Sequence, residues 1–73
     1  MRINDAILAY EMRRRDLRQI QLSEISGVSR ATISYIMCGK RCSSETAQKI
    51  AEALGVSVEH LRGGVVDDAS GRN

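Results

Sequence analysis

Three features of the 73-residue sequence predict an all-α fold, a compact bundle of five short helices with no strand. Pro, Phe and Trp are absent, so aliphatic side chains must build the core, which suits packed helices better than a β-sandwich. Apolar residues recur three and four positions apart, the period of a helix with one buried face. Most of these stretches open at Asn or Ser and close at Gly, the residues that satisfy a helix start and permit its left-handed end.

The first helix is expected over about residues 4 to 15, with Asn4 as cap, Asp5 in the first turn, and Ile7, Leu8 and Met12 at helical spacing. Asp16-Leu17 is a short connector. A second helix runs from Gln19 to about Ser26 with Leu22 and Ile25 facing inward, and Arg18, a poor capping residue, encodes its start weakly. Gly27 ends it. Ser29 caps a third helix over about 30 to 37, with Ile33 and Ile36 on one face, and Gly39 closes it. Ser44 caps a fourth over about 45 to 54, with Ala47, Ile50, Ala51 and Leu54 as its inward stripe. After Gly55, Ser57 caps a short fifth helix through about Arg62. The expected organisation is one domain over residues 1–62 and a flexible tail over 63–73, opened by Gly63-Gly64.

Size and charge narrow the function. At 8.1 kDa a single core leaves no room for a deep substrate cavity, which excludes most enzyme architectures. No spacing pairs a nucleophile with a base. No apolar run approaches the roughly 18 to 20 residues of a membrane span, and Arg2, Asn4 and Asp5 break up any secretory leader. Cys38 and Cys42 have no set of metal-ligand partners, since His60 is the one histidine, and they read as small thiols in the cytoplasm. No cofactor, metal or small-molecule substrate is expected. Net charge is +2 but uneven: residues 13 to 41 hold seven bases against two acids, and residues 42 to 73 hold three against five. A basic middle suggests a surface that meets an anion, although a solvated helix face accounts for it equally well.

The stretch from Gln19 to Ile36 is the most informative. Two helices crossing through a tight turn need a small residue where their backbones approach, a Gly in the turn, and apolar anchors on both sides. Ser23, Gly27, and Leu22, Val28, Ile33 and Ile36 meet those needs in order. The spacing predicts a helix-turn-helix made by the second and third helices.

The segment "QIQLSEISGVSRATISYIMCGKR", followed by "ETAQKIAEALGVSVEHL", resembles the helix-turn-helix domain of Cro and related phage repressors, also called the xenobiotic-response-element family. The similarity covers about residues 4 to 62. It implies the lambda-repressor-like five-helix bundle and sequence-specific binding of a double-stranded DNA operator, usually as a homodimer, with the third helix in the major groove. It also implies that Arg30, Ala31 and Tyr35 read bases, with Ser29 and Ser34 beside them, and that Gln19 binds phosphate.

Burial of Ile33 and Ile36 independently turns Arg30, Ala31, Ser34 and Tyr35 outward. Arg30, in the first turn, suits guanine O6/N7, or a phosphate alone. Ala31 suits a thymine methyl, and Tyr35 suits a base edge, a phosphate, or packing along its own helix. Lys40 and Arg41, in a Gly-containing loop, are placed for phosphate, as Ser29 is, while Arg13, Arg14 and Arg15 either steer DNA or form a solvated helix end. Family members often carry an Arg–Glu ion pair at the positions of Met12 and Met37. The double change to Met reads as a repacked core. Arg18 stands in place of the usual Ser or Thr cap, and Cys38 in place of a common Asn.

The leading expectation is a DNA-binding transcriptional regulator, a repressor from a phage, prophage or mobile element, with an antitoxin-like module that neutralises a protein partner as the alternative. Dimerisation is expected through the acidic half, with Val58, Leu61, Val65 and Val66 as its apolar surface, unless Val58 and Leu61 only close the monomer core.

Overall fold

The computed structural model describes residues 1–63. The expected Val65–Val66 surface and nearly all of the expected tail lie outside them. Five helices follow in chain order: α1 (Asp5–Arg14), α2 (Gln19–Ser26), α3 (Arg30–Met37), α4 (Ser44–Leu54) and α5 (Val58–Arg62). Among the described residues the fold is all-α, as the sequence predicts. α2 packs against α3 and α4, α1 against α3 and α5, and α4 against α5.

One core fills the centre. Leu8, Leu22, Ile33, Ile36, Ala47, Ile50 and Leu61 are completely shielded, and Met12, Val28, Ala51 and Leu54 are nearly so. Met12 is buried in this cluster and Met37 packs against it partly buried, so two thioethers stand on α1 and α3 with no charged group at either position.

Each start has a chemical cause. Asn4 Oδ1 accepts the amide hydrogens of Ala6 (2.9 Å) and Ile7 (3.1 Å). Ser29 Oγ accepts from the Thr32 amide and donates to Thr32 Oγ1. Ser43 repeats this pattern with Thr46, so Ser43, not Ser44, caps α4. The second half of a Ser-x-x-Thr pair decides between two adjacent serines. At α2 the cap works in reverse: Arg18 offers no side-chain acceptor, and Gln21 Oε1 reaches back to accept the Arg18 N–H at 2.7 Å.

Ile25 corrects the sequence reading. It is exposed, whereas the inward stripe of α2 is Gln19, Leu22, Ser23 and Ser26, spaced i, i+3, i+4, i+7. Two serines on that stripe let α2 lie close to its neighbours, and Ile25 falls outside it. After α1, the Leu17 N–H bonds to the Met12 carbonyl and the Asp16 N–H to that of Arg13, with Asp16 at φ 55°. This closure needs a left-handed residue after the helix, a conformation Asp tolerates better than most.

Residues 1–3 are tied into the fold. The Cys42 N–H donates to the Met1 carbonyl (2.8 Å), Arg2 and Arg41 form an antiparallel bridge, and Ile3 is buried in the core. The Asn4 N–H donates to the Leu61 carbonyl at 2.8 Å.

A buried carboxylate joins α1 to α5. Glu11 is the one charged residue in the core among those described. It accepts from Arg14 (3.3 Å), more closely from Arg15, and from His60 Nε2 (2.7 Å). An ionised carboxylate can only accept, so the Nε2 facing it carries the proton.

Candidate nucleic-acid interface

α3 presents one open face because its other face is fully committed. Ile33 and Ile36 have no exposure, which leaves Arg30, Ala31, Ser34 and Tyr35 exposed on the opposite side. Tyr35 is 56% exposed, so its ring is not absorbed by packing along α3.

The turn before α3 sets the angle between α2 and α3. Gly27 takes φ 76°, donates its N–H to the Ser23 carbonyl at 2.9 Å, and hands the chain to the buried Val28, whose N–H donates to Ser26 Oγ. That geometry carries the first residue of α2 to the first turns of α3. Gln19, Arg30, Ala31 and Ser34 together line an open depression of about 540 Å³. Three base-reading candidates and one phosphate-binding candidate therefore share a surface, although Gln19 and Arg30 are eleven residues apart. Its lining offers an amide, a guanidinium and a hydroxyl that can hydrogen-bond a base edge, and a methyl group that can make an apolar contact.

The other candidates lie around it. The Ser29 hydroxyl is engaged on both sides with Thr32, so its first task is the cap of α3. Lys40 and Arg41 are exposed in the loop after α3, where the Lys40 N–H bonds back to the Tyr35 carbonyl (3.4 Å). Tyr35 is not part of the depression's lining.

Two of the three arginines of α1's end have other work. Arg14 and Arg15 both hold Glu11, Arg15 also donates to the Glu11 carbonyl at 2.9 Å, and Arg14 lies over the Tyr10 ring. Arg13 is exposed and is the member of the run left to act on the surrounding field. Sequence reading missed Glu11, since a lone acid between a Tyr and a Met looks like an ordinary surface residue. Three following arginines were the available signal.

Cys38 is exposed and Cys42 half-buried, and the two do not form a disulfide with each other. No helix among the described residues is long and apolar enough to cross a membrane.

Comparison with curated proteins and with solved structures gave no match. Comparison with protein families did: the Helix-turn-helix family model matches residues 8–61, which include all five helices but for the first residues of α1 and the last of α5. With that match across most of the chain, on a fold whose second and third helices meet through a glycine turn, the protein belongs to the Cro/C1-type helix-turn-helix family of DNA-binding transcriptional regulators.

Proposed function

We propose that this regulator is a repressor from a phage, prophage or mobile element. It acts in the cytoplasm as a homodimer on a palindromic operator, with α3 in the major groove. One observation carries the reading: Gln19 and the exposed face of α3 converge on a single open surface, while the opposite face of α3 is sealed in the core. In this reading Arg30 takes guanine O6/N7, Ala31 meets a thymine methyl, and Ser34 and Tyr35 contact neighbouring base edges. Gln19, Ser29, Lys40 and Arg41 hold the backbone and fix the register. A single helix-turn-helix covers few base pairs, so two copies on half-sites about 34 Å apart supply the needed contact.

A gel shift against duplexes flanking the gene tests it. The expected result is a discrete complex with one flanking sequence, competed poorly by unrelated duplex. Its log affinity should fall against log salt by about 0.9 per neutralised phosphate. Lys40→Ala should flatten that slope by about one unit and leave sequence preference intact. Equal affinity for every duplex would overturn sequence-specific repression. No complex at all would favour a module that neutralises a protein partner.

A further inference from the structure

A second open cavity, of about 310 Å³, lies where the end of α1, the connector to α2 and the end of α3 meet. Its size falls at the lower end of the range for small-molecule pockets, about 300 to 1,000 Å³. The shielded part of its lining is apolar: Met12 is buried, and Leu17 and Met37 are partly so. The two thioethers are unbranched and adapt to the shape of what they meet. The exposed part of the lining is charged, with Arg13, Asp16 and Arg18. Among the described residues no ion pair engages any of these three, so two bases against one acid leave a single positive charge beside an apolar recess. One residue ties this cavity to the face of α3. Gln19 lines both it and the depression that holds Arg30, Ala31 and Ser34.

We propose that this cavity binds a small monocarboxylate with an apolar body, and that its occupant weakens DNA binding through Gln19. The apolar body leaves water against Met12, Leu17 and Met37, and the carboxylate accepts charge-assisted hydrogen bonds from the guanidinium groups. A neutral apolar molecule leaves the positive charge unanswered, and a bare anion leaves the recess empty. The side-chain amide of Gln19 has two N–H donors, and those turned to a bound carboxylate are withdrawn from a phosphate. The bound charge also repels the DNA backbone. The effect on DNA rests on the DNA-binding reading, while the carboxylate site does not. Linkage makes the effect mutual, so a bound duplex lowers carboxylate affinity by the same factor.

Two measurements on the full chain test it. In the first, benzoate and naphthoate are titrated without DNA and followed by amide NMR. Acetate and benzyl alcohol serve as controls that supply the charge or the body alone. Saturable shifts at residues 12–19 and 37 are expected with an aromatic carboxylate, and binding about tenfold weaker or worse with either control. The double variant Arg13→Gln/Arg18→Gln should weaken carboxylate binding about tenfold with an unchanged melting temperature. Shifts that never saturate with either carboxylate, or an equal response to benzyl alcohol, would overturn the site. In the second, duplex affinity is measured with the tighter carboxylate at saturation, against acetate at equal concentration. A fall of about fivefold or more is expected, and it should shrink in Gln19→Ala. A bound carboxylate that leaves duplex affinity unchanged would overturn the coupling, as would an undiminished fall in Gln19→Ala. If the parent chain binds no duplex while the carboxylate titration saturates, the DNA-binding reading falls and the carboxylate site stands.

Discussion

Glu11 shows how one residue can tie two helices together and set a pH dependence. Its carboxyl is held below the ordinary glutamate value, first by the hydrogen bond from Arg15, then by that from His60, with the charges of Arg14 and Arg15 adding to them and burial opposing. Between the lowered value and the unfolded value of about 4.3, the unfolded chain holds more protons than the folded one, so stability rises with pH through that window. The contribution is complete above it and lost as pH falls through the lowered value. Glu11→Gln should therefore lower the melting temperature at neutral pH and reduce the loss of stability on acidification, measured by thermal melts across that range. A parent and variant with parallel pH profiles would contradict this role. In the proposed reading, Arg30 is the residue on which base recognition turns. Arg30→Ala should cost about 1 to 3 kcal/mol on the preferred operator and relax discrimination at one base position, read from binding to a panel of single-base operator variants. A uniform loss on all duplexes would make Arg30 a phosphate ligand.

At the scale of elements, most helices were legible because their ends are chemically marked. Ser29, Ser57 and Gly27 stand where the sequence puts them, and α2, α3 and α5 begin and end accordingly. The misreadings have physical reasons. Ile25 was assigned inward because an isoleucine three residues after a buried leucine fits helical spacing. An eight-residue helix buries only a narrow stripe, however, and small serines occupy it so that backbones can approach. The start of α2 looked weak because a cap was sought at Arg18, while the acceptor comes from Gln21, inside the helix. Helix ends also differ in how much they tolerate. At Gly27 and Gly63 the chain is left-handed, so a side chain costs about 1 to 2 kcal/mol at either position. An added Cβ at Gly27 meets open space, whereas at Gly63 it runs into Ile7 Cδ1 and lies 3.3 Å from Asn4 Nδ2. Gly63→Ala should destabilise the protein clearly more than Gly27→Ala in denaturant unfolding. Equal losses would show that Ile7 moves aside without cost.

For the whole molecule, the interface drawn from sequence changes. Leu61 has no exposure, so it closes the monomer, whereas Val58 packs against the core and keeps part of its surface. Amphipathic spacing marks an apolar face but does not distinguish a neighbouring helix from a second chain, and a five-residue helix has little else to bury. Leu61→Ala should cost about 2 to 5 kcal/mol of unfolding free energy, by the same amount at low and high protein concentration. A loss that vanishes on dilution would assign Leu61 to a dimer instead. The surface gathered by the fold was legible only in part. The exposed face of α3 follows from two buried isoleucines, but the approach of Gln19 to Arg30 depends on how α2 and α3 cross.

The hydrogen bond from the Asn4 amide to the Leu61 carbonyl has a kinetic consequence. Amides near a chain terminus normally exchange with solvent quickly, because ends fray without disturbing the rest. Here the Asn4 amide bonds to a carbonyl on α5, between a buried isoleucine and the start of α1. Freeing that amide requires α1 and α5 to separate, which exposes Ile3 and Leu61 together. Its opening should then coincide with global unfolding and not with local fluctuation. In native-state hydrogen–deuterium exchange, the Asn4 amide should be protected to within a few fold of the slowest core amides, and its denaturant dependence should match theirs. Rapid, denaturant-independent exchange at Asn4 would show that the N-terminal segment detaches while the bundle stays folded.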